Sequence, residues 1–345
     1  MGNKTFDNYM KTKYCIFLLI FFLTLPNCKQ YSEKEKHYKS RDNIINIQNL
    51  LREIRFDSVY FSNFAKIYPM RKYLIVSDYK SLTNHIYLFD KTNFKLLAET
   101  APHGQGPNEI TNLGHIAVNE QENAFYVTDH GKQKIFAYHS DSVIMNSSYK
   151  PAVKLNIKEQ QFPNEYIFVN DSICFGTIMG PTNSGFDIIT AKWNINSGEI
   201  SPMKYKHPEI KRKRISFAFS KEQEIYVECY NHHDLFTICD LEGNLKYNIY
   251  GKKWDNRMSN ETRYFGNVAI CNDMIIASYS GKSRLSGNSL PSEILVFEVD
   301  GDYIKTLQVG YNIVGLYHDR YLNRIIFHLD DAMQFAYIDL DEIVK

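Results

Sequence analysis

One pattern limits the fold of this chain more than any other: an apolar strand that returns at intervals of about 50 residues, the period of propeller blades. It reads Ile86-Tyr-Leu-Phe-Asp90, Ile135-Phe-Ala-Tyr138, Asp187-Ile-Ile-Thr-Ala-Lys-Trp193, Leu235-Phe-Thr-Ile-Cys-Asp240, Ile294-Leu-Val-Phe-Glu-Val-Asp300 and Phe335-Ala-Tyr-Ile-Asp-Leu340. A second short apolar run precedes each copy, as in Tyr73-Leu-Ile-Val-Ser-Asp78, Phe125-Tyr-Val-Thr-Asp129 and Ile225-Tyr-Val-Glu228. Such runs are continuous rather than alternating, as expected of sheets packed on both faces. Their bounding turns and their β-branched and aromatic content speak for strands over buried helices. Four strands per unit and six units predict an all-β, six-bladed β-propeller.

The two ends of the folded part are expected to meet. The chain stops after the third strand of the sixth unit, and a spare strand, Ile54-Arg-Phe-Asp-Ser-Val-Tyr-Phe61, precedes the first. Pairing of that spare strand beside Phe335-Ala-Tyr-Ile-Asp-Leu340 closes the ring and removes the open sheet edges. Residues 44–51 add a short lead-in. The propeller domain is therefore placed at residues 44–345.

The first residues read as an address. Lys4, Lys11 and Lys13 flank the start of an apolar run over residues 14–25. That run is too short for a membrane span, which needs ~20 residues, and suits a signal peptide at residues 1–27. Leu25-Pro-Asn-Cys28 follows, an apolar residue three positions before a cysteine, which points to a lipoprotein with Cys28 as its acylated first residue. Residues 28–43 are polar and charged and are expected to form a flexible tether from a membrane to the folded part. The expected location is the cell envelope, periplasmic or surface-exposed.

A net charge of +1 gives no electrostatic footprint for nucleic acid. The one basic run, Lys211-Arg-Lys-Arg214, reads as a solvated loop. With Cys15 in the signal and Cys28 acylated, Cys174, Cys229, Cys239 and Cys271 remain. None has zinc-ligand spacing. Cys229 and Cys239 flank a turn, where opposed strand cysteines strain a disulfide, so buried free thiols are expected.

The lipobox, the six irregular blades and the corner Gly104-Gln-Gly-Pro-Asn-Glu109 together resemble the TolB-like six-bladed propeller lipoproteins of Gram-negative bacteria, over residues 52–345. The resemblance implies a binding or scaffold role in the envelope rather than a catalytic mechanism.

In an antiparallel blade the loop between second and third strands shares a face with the loop joining consecutive blades. These loops are long here, and the turns of the opposite face are short. Binding residues favour long loops on a rigid scaffold, so the long-loop face is expected to hold any ligand or partner site. The candidates on it are Asp78, Gln105, Asn108, Glu109, Asp129, His130, Glu165, Glu209, His232, Glu261 and Arg284. Blade junctions repeat proline with glutamate, at Glu109, Glu165, Glu209 and, without the proline, Glu261. The plainer account is that proline sets the turn and the carboxylate satisfies backbone donors. The sharper account is a carboxylate collar for a cation such as calcium; no other cofactor is indicated. Asp78, Asp129 and His130 read as turn caps. His232 and His233 read as exposed turn residues. Tyr79, Phe186 and Tyr230 are candidates for stacking on sugar rings. Gly281-Lys-Ser283 lacks the first glycine of a phosphate loop. No catalytic residue is assigned. The expected function is a lipid-anchored module that binds an envelope protein or a glycan. The alternatives are a calcium-dependent lactonase or lyase, and a pure assembly scaffold.

Overall fold

A computed structural model of the chain describes residues 32–56, 59–157, 162–183, 185–257 and 260–344. The chain divides into residues 1–35 and residues 36–345, and the propeller is the second unit. The expected signal peptide and the acylated Cys28 lie outside the described residues. Among the described residues no helix is long and apolar enough to cross a membrane.

Six sheets, each built on four strands in antiparallel order, form six blades. Blade 1 runs from Lys66–Pro69 to Leu96–Pro102, blade 2 from Leu113–Asn119 to Ala152–Asn156, and blade 3 from Phe162–Phe168 to Ile200–Pro202. Blade 4 runs from Ile215–Ser220 to Leu245–Tyr250, blade 5 from Thr262–Cys271 to Tyr303–Gln308, and blade 6 from Ile313–Asp319 to Phe335–Asp339. The recurring apolar strand is the third strand of each blade, as its periodicity predicts. Among the described residues, short α-helices at Ser140–Met145 and Leu340–Val344 are additions that the strand pattern did not anticipate.

The continuous apolar runs have the expected cause: both sheet faces are covered. A buried cluster sits at each of the six seams. Phe125 and Ile75 share the seam of blades 1 and 2, for instance, and Ile276 and Phe327 that of blades 5 and 6. Fully buried Phe, Leu or Ile side chains each contribute roughly 1.5–3 kcal/mol, and every seam repeats that contribution.

Closure departs in detail from the sequence reading. An N-terminal strand does complete blade 6, but it is Arg52–Glu53, not residues 54–61. Arg52 pairs with Tyr337 and Glu53 with Ala336, and Ile54 N donates to Phe335 O at 2.8 Å. The apolar residues beyond leave the sheet. Phe56 packs on Phe89 and Phe335, with ring centroids 4.4 and 5.2 Å away, and Phe61 lies 5.9 Å from Phe335. Their hydrophobicity fills the seam between blades 6 and 1 instead of marking a strand.

Residues 36–43, expected in the tether, also lie against the propeller. Residues 36–37 extend the outer edge of blade 4, and Tyr38 N donates to Tyr250 O at 2.9 Å. Ile44–Asn46 then pairs in parallel with Tyr303–Gln308 of blade 5. The N-terminal segment thus takes the outer edges of blades 4, 5 and 6 in turn. Arg41 fixes it midway, donating from Nη1 to the buried Asp234 carboxylate at 3.2 Å.

On the short-turn face a buried ionic triad ties blade 6 to blade 1. Lys91 Nζ donates to Asp319 Oδ1 at 2.7 Å and Arg324 Nε to Asp319 Oδ2 at 3.2 Å. Lys91 also donates to Met70 O, and Arg324 to Lys91 O. The four cysteines outside the N-terminal segment are free and buried. Cys229 stands opposite Phe236 and Cys239 opposite Tyr226, so register rather than strain keeps the two thiols apart.

Candidate functional site

The innermost strands enclose a central channel. Lys66 of blade 1 and Glu165 of blade 3 reach across it and pair at 2.8 Å. Blade walls surround both side chains, yet solvent reaches 49% of Lys66 and 39% of Glu165. Enclosure combined with solvent access describes the lining of a solvent-accessible channel. Access to water limits the pair to about 1 kcal/mol or less. Burial pulls the Lys66 ammonium down, but Glu165, with Tyr68 and Tyr317, outweighs it and the net shift is upward. The ammonium in turn holds the Glu165 carboxyl below the usual carboxylate range.

His115 of blade 2 stands beside this pair. Its Nε2 donates to Tyr166 O at 2.8 Å, and burial holds the imidazole down to about 4. His207, on the loop between blades 3 and 4, is likewise held at about 4 by burial and shares a 3.0 Å hydrogen bond with Tyr250. Both are neutral in the folded chain at neutral pH. The unfolded chain takes up their protons near the ordinary value of about 6.5. Stability contributed by the neutral rings is therefore complete above about pH 6.5 and falls as pH drops toward 4. The urea midpoint is expected to fall between pH 7 and pH 5, with a shallower slope in the double variant His115→Asn/His207→Asn. An unchanged slope in that variant would assign the effect to other groups.

The expected carboxylate collar does not assemble. Glu109 turns back on its own corner, where Oε2 accepts from Gly106 N at 2.7 Å. A Cβ on Gly104 would lie 2.1 Å from that carboxylate oxygen, and one on Gly106 2.9 Å, so close packing explains both glycines. Lys132 Nζ braces the corner by donating to Gly106 O and Glu109 O. Gln105 is exposed and Asn108 half-buried on the same corner. Glu165 faces Lys66 in the channel, Glu209 accepts from Asn256 at 2.9 Å, and Glu261 accepts through its carbonyl from Arg284 N. The plainer account thus holds for Glu109, whereas Glu165 is an ion-pair partner. Among the described residues no group of three His, Cys, Asp or Glu is placed to hold a metal ion.

Asp78 and Asp129 do act as caps. Asp78 accepts from Ser62 N, Ser62 Oγ and Lys80 N at 2.7–2.9 Å. Asp129 accepts from the backbone N–H groups of Thr111, Asn112, Gly131 and Lys132. Each fixes an inter-blade loop to the end of a second strand. His130 is not a cap: its ring packs on Gly114 and lies 5.1 Å from Phe162. His232 is half-buried, and His233 is buried with its ring bonded to Asp255 O, so this pair is not an exposed tip. Tyr230 is also fully buried and presents no ring to a ligand, whereas Tyr79 and Phe186 remain exposed.

The basic run is not simply solvated. Lys213 reaches inward to the buried Glu228 at 2.6 and 2.8 Å, and Tyr230 OH and Thr190 Oγ1 also donate to that carboxylate. Arg214 donates to the carbonyls of Lys213 and Phe186. The sequence reading missed Lys66, His115 and Glu228. A charge inside the apolar run Ile225-Tyr-Val-Glu228 was the available signal, since a buried charge demands a partner.

Hollows occur on both faces and at the rim, including one of about 510 Å³ between the arm and Asp234, Lys253 and Ser280 and one of about 370 Å³ at the seam of blades 2 and 3. The long-loop face has a cleft of about 130 Å³ between Thr190, Met203, His207 and Lys213. It also carries the exposed Tyr60, Phe64, Tyr79, Leu82, Phe186 and Leu285. Phe64 and Tyr79 form a pair 5.1 Å apart, with Lys80 Nζ over both rings. The short-turn face holds two adjoining hollows at the other end of the channel, of about 280 and 620 Å³.

No functionally curated protein matches the sequence. Among solved structures, a member of the DUF4221 family from Bacteroides vulgatus aligns with a TM-score of 0.54 and 11% identity, over 84% of this chain and 94% of that one. Hydrazine synthase of Kuenenia stuttgartiensis aligns at 0.52 and 11% identity, over 84% and 81%. The RRP9 WD40 repeats align at 0.55 and 9% identity, over 84% and 97%. At these identities the likeness is one of fold. The DUF5128 family, described as a 6-bladed beta-propeller, matches residues 33–265, more than half of the sequence and including the arm on blades 4 to 6. Six blades in the structure and this match together make the chain a member of that six-bladed β-propeller family.

Proposed function

We propose that this chain is a lipid-anchored module of the cell envelope, of the TolB-like kind, that docks another envelope protein on its long-loop face. The carrying observation is the set of exposed apolar side chains on that face. Six large ones lie there, against Met145 and Leu322 on the short-turn face and Ile44, Ile45, Leu50 and Val153 on the outer rim of the blades. Exposed apolar groups gathered on one side of a soluble fold favour an interaction site. Asp78 and Asp129 hold the loops that carry or adjoin several of them, which lowers the ordering cost of binding. The anchor part of the reading rests on the Leu25-Pro-Asn-Cys28 pattern. Each buried methylene of an acyl chain contributes about 0.8 kcal/mol to membrane binding.

The test uses the full chain in cells, with a photo-crosslinking residue at Leu82 or Leu285 and, for comparison, at Met145 or Leu322. A discrete protein adduct is expected from the first pair and not the second. Adducts from the second pair alone, or from neither, would remove the long-loop face from the proposal. In the same cells Cys28→Ser is expected to shift the chain from the membrane to the soluble fraction. Retention on the membrane would refute the anchor.

A further inference from the structure

We propose that the short-turn mouth of the central channel is a second binding site, built for a neutral carbohydrate of one or two sugar rings. The turns joining first and second strands ring this mouth, and two adjoining hollows of about 280 and 620 Å³ occupy it. They share Phe219, Glu222 and Arg320 as lining. Glu120 and Gln121 line the smaller hollow and His318 the larger. Concave sites for small molecules commonly span ~300–1,000 Å³.

The lining chemistry selects the ligand class. A sugar offers adjacent hydroxyls that each donate and accept. Carboxylates only accept and a guanidinium only donates, so their combination meets both needs of a vicinal diol. Glu120 receives Arg71 N on Oε1 at 2.9 Å, and Arg320 donates from Nη2 to Tyr321 OH at 2.8 Å. Glu120 also accepts from the Tyr321 hydroxyl. A carboxylate accepts at about four sites, so it keeps acceptor capacity, as Arg320 keeps donors among its remaining N–H groups. Phe219 supplies an apolar surface for a sugar ring. It is steadied from behind by Phe175, 5.0 Å away.

Charge balance argues for a neutral ligand. Burial weakens the hold of Arg320 on its proton, but Tyr321 first and then Glu222 and Glu120 outweigh it, and the net shift is upward. An anion would meet Glu120, Glu222 and Asp273, and a cation would meet Arg320 and Lys221, all of which line the two hollows. A polyhydroxylated neutral molecule meets neither penalty. This site lies at the opposite end of the channel from the proposed protein-docking face and does not depend on it.

Saturation-transfer NMR on the full mature chain in detergent tests the proposal. The probes are glucose, galactose, mannose, N-acetylglucosamine, maltose, lactose and cellobiose, with glucuronate and glucosamine as charged comparisons. At least one neutral sugar is expected to bind, at least 10-fold more tightly than either charged sugar. Glu222→Gln and Arg320→Met are each expected to weaken it by 10-fold or more, while Phe64→Ala on the long-loop face leaves it unchanged. A circular-dichroism melt for each variant identifies loss through unfolding, and Glu222→Gln, the near-isosteric change, then decides. Absence of binding by all the neutral sugars overturns the site. So does a preference for a charged sugar, or loss of binding in Phe64→Ala but not in the folded mouth variants.

Discussion

Replacing Asp319 with alanine is expected to destabilise the folded chain by about 3–5 kcal/mol, the range for removing one partner of a buried ionic group. Asp319 is fully buried and faces Lys91 and Arg324, which are also buried. Deleting the carboxylate leaves two cations in the seam between blades 6 and 1. Neither can reach water without opening that seam. Burial already draws the Lys91 ammonium below its usual range, with Asp319 acting against that pull. The triple variant Asp319→Leu/Lys91→Met/Arg324→Met removes the charges together and is expected to lose less than Asp319→Ala, because whole buried ion groups can be exchanged for apolar ones at little cost. Urea unfolding of both variants at pH 7 measures the difference. A single variant within about 1 kcal/mol of wild type would mean that water enters the seam, and the triad would then have no part in holding the ring shut.

What the sequence revealed depended on how local the physics was. Third strands such as Leu235–Asp240 were legible because burial on both faces makes them continuously apolar. The corner at residues 104–109 was legible because two glycines and the carboxylate they accommodate lie within six positions. The closing strand was misplaced because Arg52 and Glu53 join the sheet through backbone hydrogen bonds and carry no apolar signal. Phe56 and Phe61 carry that signal for a different purpose, filling a seam. The docked arm was invisible for a related reason. Its peg, Arg41, finds Asp234 at a separation of 193 residues, and no local pattern records that pairing. Lys66 and Glu165 are 99 residues apart, so a glutamate read as part of a repeated turn became one half of a channel pair. The hollows of the short-turn mouth were missed because loop length was used as the guide to function. Short turns converging on an axis can enclose more space than long loops that spread outward.

Deleting the chain through Glu53 is expected to have the largest effect of any change considered, and to produce self-association rather than a smaller monomer. The arm covers the outer edges of three blades. Removing it frees Leu245–Tyr250, Tyr303–Gln308 and Phe335–Asp339 as unpaired edges, and such edges recruit other strands. It also removes Ile47, which is 1% exposed in the core between blades 5 and 6. Two point changes separate docking from folding. Ile47→Ala is expected to cost about 2–5 kcal/mol, as for other large-to-small core changes. Arg41→Met leaves the strands intact but removes the Arg41 bond from the buried Asp234, which keeps the 3.1 Å donation from Lys253 N. Its expected result is local: faster amide exchange over residues 38–46, with Leu74, Ile75 and Val76 of blade 1 unchanged, because the arm can lift without opening the ring. Exchange measured by mass spectrometry on the full chain gives both readings at once. Equal acceleration in blade 1 would show that arm and ring unfold as one unit, and the arm could then not lift without opening the propeller itself.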